Sequence, residues 1–153
     1  MSQQISFHNA TGEEQRSITI GERALAYQQH LELPQKAKDV VCNEACEILS
    51  HCVAPGLQGC VTNLAVGYVQ SGKTMSFTTL TALAADNGYR IIIYLTGTKT
   101  NLQNQTASRL KNDLHIDEID ESLNYHVIDD LSDSTGLHMF LTHTRALILI
   151  PIL

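Results

Sequence analysis

Gly67-Tyr68-Val69-Gln70-Ser71-Gly72-Lys73-Thr74 is the stretch whose reading decides the fold. It has the form G-x-x-x-x-G-K-T, a phosphate-cradling pattern. The chemistry follows from residue type. Glycine has no Cβ, so the backbone can wrap closely around phosphate oxygens. The N–H groups from Val69 to Lys73, through Gln70, Ser71 and Gly72, then point inward as an anion-binding nest. Lys73 is expected on the β- and γ-phosphates and the Thr74 hydroxyl on Mg²⁺. A helix opening near Lys73 would add the positive end of its dipole. Tyr68 and Gln70 occupy variable positions of the pattern and read as loop filler, although Gln70 lies within the cradle.

Such a loop must follow a strand and open a helix. Upstream, Cys60 to Val66 ends apolar and reads as a short buried strand. Downstream, Met75 to Ala85 is rich in Ala, Leu and Thr, without Gly or Pro, and reads as the helix. Asn87-Gly88 supplies a left-handed stop. The elements occur in the required order.

Working outward, the chain has 153 residues, 43% of them hydrophobic, with a net charge of −6. That is one domain's length with enough apolar residues for a core. The ten Lys and Arg residues are scattered and form no basic stripe of the kind that marks nucleic-acid binders. No apolar run follows Met1, and the apolar stretch from Ala146 to Leu153 is too short to span a bilayer. A soluble, cytoplasmic protein is expected. Cys42 and Cys46 lie four apart on an expected helix, with His51 and Cys52 nearby. This spacing does not match paired zinc-ligand motifs, so the reading is buried structural thiols.

The N-terminal part reads as helical. Residues 1–12 are polar and irregular. Glu13 to Leu33 is mostly helical in pattern, with Gly21 as an interruption and Pro34 as a break. Gln35 to Cys52 carries Val40, Val41, Ala45, Ile48, Leu49 and Cys52 at helical spacing. After the loop helix, Arg90 to Leu95 is apolar on both parities, as in a strand buried on both faces of a parallel sheet. The turn Thr96-Gly97-Thr98-Lys99-Thr100 leads into a helix over Asn101 to Asn112. Asp117 to Glu121 reads as an acidic loop or short helix, Tyr125 to Ile128 as a weak strand, Asp129 to Gly136 as loop, and Thr144 to Leu153 as a final strand. Alternating strands and helices imply an α/β parallel sheet. Ligands in such sheets bind beyond the strand carboxyl ends, which would bring the turns at 67–74 and 96–100 near each other.

The second turn carries a resemblance. Ile91 to Leu110, with Thr96, Thr98, Leu102, Gln105 and Thr106, resembles the segment after the second strand of superfamily-two helicases and translocases. Val66 to Thr74, Ala84-Ala-Asp-Asn-Gly-Tyr-Arg90 and Leu102-Gln-Asn-Gln-Thr106 together are similar to a bacterial helicase-like family assigned as endonucleases and linked to restriction and defence. The likeness covers residues 60–112. It implies an incomplete RecA-like P-loop NTPase domain over 59–153, preceded by a helical segment at 1–58. It further implies ATP and Mg²⁺ as cofactors, and a DNA backbone touching Thr96, Gly97 and Thr98.

Such ATPases also need a magnesium-holding acid after a later strand, and arginine fingers. Val127-Ile-Asp-Asp130 is the acidic candidate, but it reads better as a strand end running into a polar loop. His126 reads as a packed surface histidine, and Arg109 as a partner for a surface acid. The apolar finish through Pro151 suggests the N-terminal piece of a longer ATPase. Two alternatives stand beside this reading. One is a small-molecule or nucleotide kinase, against which the lack of an Arg-rich lid counts. The other is a non-catalytic nucleotide-binding or interaction fragment.

Overall fold

In the computed structural model, the described residues are 2–8, 14–64, 72–94, 100–114 and 146–149. Helix and strand are mixed. The chain divides into two compact units, Met1–Gly88 and Tyr89–Leu153. The boundary expected near residue 58 falls inside the first.

The first unit opens with a hairpin, where the sequence suggested an irregular segment followed by a helix. Strand β1 (Gln3–His8) pairs antiparallel with β2 (Glu14–Ile20), in register from Gln3 opposite Ile20 to Phe7 opposite Arg16. The register then shifts between Phe7 and His8. The physical reason is period-two alternation: Ile5 and Phe7 on one strand, Ile18 and Ile20 on the other, each separated by polar residues. Ile18 and Ile20 are buried. A two-stranded hairpin is marginal alone, and β2 is held by packing against the helices that follow.

Helix α1 (Glu22–His30) begins immediately after Gly21, so only the C-terminal part of the expected helix over 13–33 forms. It buries Ala24 and Tyr27. Leu31 leaves the helix in extended conformation, as befits a chain approaching Pro34. Helix α2 (Gln35–Ser50) forms where its periodicity predicts, but its inner face is rotated. Cys42, Ala45, Cys46 and Leu49 are buried, whereas Val40 is 49% exposed. The thiols behave as small hydrophobes and take core positions assigned from sequence to the valines. From β2, Arg16 Nη1 donates to the carbonyls of Leu49 at 3.2 Å and Cys52 at 3.1 Å, satisfying acceptors at and beyond the end of α2.

Helix α3 (Lys73–Asp86) packs against α1 and α2. Every residue from Thr78 to Ala84 is buried. The buried threonine hydroxyls are accommodated by back-bonding: Thr78, Thr79 and Thr81 each donate to the carbonyl four residues earlier, all at 2.9 Å. Asn87 and Gly88 end the helix as expected, with Gly88 at φ 85°.

The expected strand over Cys60 to Val66 is not found in its described part. Cys60 to Leu64 lie outside any helix or strand and are all exposed, Leu64 by 79%. Thr62 and Asn63 break the apolar run, so a strand there would bury polar side chains. Ala65 and Val66 lie outside the described residues.

In the second unit, β3 (Ile91–Tyr94) pairs with β4 (Ala146–Leu149) in parallel, Ile91 opposite Ala146 through Tyr94 opposite Leu149. Helix α4 (Thr100–Asp113) lies between them in sequence. Parallel strands require such a long connection. The expected segments at 117–121, 125–128 and 129–136 lie outside the described residues, as do His126, Asp130 and Pro151. Among the described residues no helix is long and apolar enough to cross a membrane.

Candidate functional site

The described part of the candidate phosphate loop begins at Gly72, which has φ 75° and ψ 23°, the left-handed region. A side chain there would strain the backbone, and among the described residues an added Cβ would meet only Met75 Cε, at 3.7 Å. The next residue, Lys73, is the first of α3 and Thr74 the second. Ser76 N–H donates to the Gly72 carbonyl at 3.1 Å, which closes the first turn. No side chain caps this helix through a hydrogen bond among the described residues. The first N–H groups of a helix have no intrahelical acceptor, and the dipole adds positive potential at that end. The arrangement suits an anion.

Gly67, Tyr68, Val69, Gln70 and Ser71 lie outside the described residues, and so do Thr96, Gly97 and Thr98 of the second turn. The expected closeness of the two turns therefore also falls outside them. Thr74 is half-buried, and Arg109 on α4 is exposed. For magnesium, the Thr74 hydroxyl is the ligand that the motif supplies. The acidic candidates Asp129 and Asp130 lie outside the described residues. Among those residues, no group of His, Cys, Asp or Glu is arranged to hold a metal ion.

Cys42 and Cys46 belong to the core. Cys42 and Cys46 are buried, Cys52 is partly buried and Cys60 is exposed, all as free thiols. The hydrogen bond with Cys42, reinforced by burial, pushes the Cys46 pKa up. Burial pushes Cys52 up as well. Both are thereby kept as thiols, the inert form.

Sequence reasoning missed the far end of α3. Asp86, whose side chain is 4% exposed, accepts hydrogen bonds from the backbone N–H groups of Gly21 (2.9 Å), Arg23 (3.2 Å) and Ala24 (3.0 Å). The Arg23 guanidinium lies 3.9 Å from the same carboxylate. Asp86 thus performs for α1 what an N-cap side chain and a capping-box acid usually do together. Asn87 forms a two-way pair with β2, accepting from Thr19 N–H at 2.9 Å and donating to the Thr19 carbonyl at 2.8 Å. A signal was present: an acid in the last turn of a helix opposes the dipole and is disfavoured locally. Its presence there points to a tertiary partner.

No family model, curated protein or solved structure matches this chain.

Proposed function

We propose that residues 67–74 bind the triphosphate of ATP with Mg²⁺. In this reading Lys73 neutralises the β- and γ-phosphates and Thr74 ligates the metal. The backbone from Val69 to Lys73 cradles the phosphate oxygens. The observation that carries the reading is the start of α3 on Lys73, directly behind a left-handed Gly72. A Gly-Lys-Thr at that place puts a cation, a hydroxyl and helix N–H donors around one anion.

The wider proposal rests on resemblance. The chain acts in the cytoplasm as the first ATP-binding part of a helicase- or translocase-like ATPase working on DNA. Its chemistry is linked to nucleic-acid cleavage in bacterial defence. The parallel pairing of β3 and β4, with α4 between them in sequence, fits the sheet such ATPases use. Thr96, Gly97 and Thr98 would face the DNA backbone.

The test is calorimetric titration of the chain with Mg–ATP. Wild type binds, and Lys73→Ala, with an unchanged urea midpoint, does not. Equal binding by the two proteins would overturn the proposal. Stimulation of ATP hydrolysis by DNA, in a protein that includes the arginine-finger lobe, then separates a helicase-like enzyme from a kinase.

A further inference from the structure

Side-chain hydrogen bonds tie the C-terminal end of α3 to β2 and to the start of α1. Along its buried middle, the hydroxyls of Thr78 and Thr79 are closed on their own helix. Leu80, Ala82, Leu83 and Ala84 pack there by shape. At the C-terminal end, Asp86 collects the backbone donors of Gly21, Arg23 and Ala24, and Asn87 pairs with both backbone groups of Thr19. The receiving side is shaped for this. A Cβ on Gly21 would stand 2.6 Å from Asp86 Cγ, so the carboxylate occupies the space a side chain would need.

We propose that Asp86 and Asn87 are positioning residues for the phosphate loop, setting where α3 begins by fixing where it ends. The inference rests on the nucleotide reading above. A helix of 14 residues is about 21 Å long and transmits axial displacement along its length. Phosphate would fix one end of this rod, and the corner formed by β2 and α1 fixes the other. Both contacts stabilise the same placement of α3. Nucleotide and corner therefore stabilise each other, and linkage makes the effect reciprocal.

The reciprocity supplies the test, with Mg–ATP as the probe. Affinity is measured at a temperature where circular dichroism finds each variant folded. Exchange of the Thr19 and Ala24 amides is followed with and without Mg–ATP. In wild type, Mg–ATP is expected to slow exchange at both amides. Asp86→Asn sets an amide NH2 among N–H donors, and Gly21→Ala displaces the carboxylate without altering its charge. Each is expected to weaken Mg–ATP binding about tenfold, within the usual range of coupling between sites. Each should also abolish the nucleotide-dependent protection. Gly88→Ala strains the backbone at φ 85° without touching the clasp and should keep wild-type affinity.

If Mg–ATP leaves the Thr19 and Ala24 amides of wild type unprotected, the inference is overturned, even where a variant does not fold. If folded Asp86→Asn and Gly21→Ala bind as wild type does, while Lys73→Ala does not bind, positioning by the clasp fails and the nucleotide reading survives. If wild type itself does not bind, both fall.

Discussion

Two helices of the first unit begin behind a glycine, and their N-termini are completed in opposite ways. At α1, the N–H groups of Gly21, Arg23 and Ala24 meet the carboxylate of Asp86. At α3, Gly72 is followed by Lys73 and Thr74, with no side-chain cap among the described residues. The first shows how this protein completes a helix start with an anion from its own chain. The second offers the same kind of donors, together with a lysine and a hydroxyl, and takes no such anion from the described residues. The difference frames the proposal for residues 67–74: the glycine before α1 leaves room for an internal carboxylate, whereas at α3 the described residues supply no such acceptor.

The largest effect on stability is expected from emptying the internal site. Asp86→Ala leaves buried donors at the start of α1 without their acceptor, and should destabilise the protein by roughly 3 kcal/mol, the scale of several lost charge-assisted hydrogen bonds. Urea unfolding measures it; an unchanged midpoint would break the comparison at its better-defined end. Asn87→Ala removes the pairing with Thr19 and a bond to the Leu83 carbonyl at 2.7 Å. Its expected loss is about 1.5 kcal/mol by the same measurement. The smallest effects sharpen the contrast most. Gly72→Ala and Gly88→Ala each place a side chain at positive φ, and each should cost about 1 kcal/mol. Only Gly72→Ala should also weaken Mg–ATP binding. Equal affinities in the two alanine variants would remove the distinction between a loop glycine and a helix stop.

Much of this was legible in sequence because the signals were local. The G-K-T pattern placed the start of α3, Asn87-Gly88 its end, and the β-branched run at 91–94 its strand. The hairpin was not legible. Each strand offers only a pair of alternating large apolar residues, Ile5 with Phe7 and Ile18 with Ile20. Polar stretches flank them, and the hairpin is stable only through packing on helices far along the chain. Cys42 and Cys46 were read as buried thiols and are buried, but the face of α2 was misjudged because Val40 was placed on the apolar stripe and is 49% exposed. The Gly72–Thr74 end of the candidate site could be read from its motif. The role of Asp86 could not, since its partners lie more than sixty residues away in sequence.

The back-bonded threonines of α3 bear on how the protein tolerates change. The hydroxyls of Thr78 and Thr79 are satisfied within their own turn, so neither needs a polar partner on a neighbouring helix. Valine could replace either one with its hydrogen bond and its acceptor released together, and the interface would keep its shape. Exchange of threonine for valine at these two positions is therefore expected to be nearly silent. Exchange at Asp86 or Asn87 is not, because their polar groups pair with particular backbone atoms of β2 and α1.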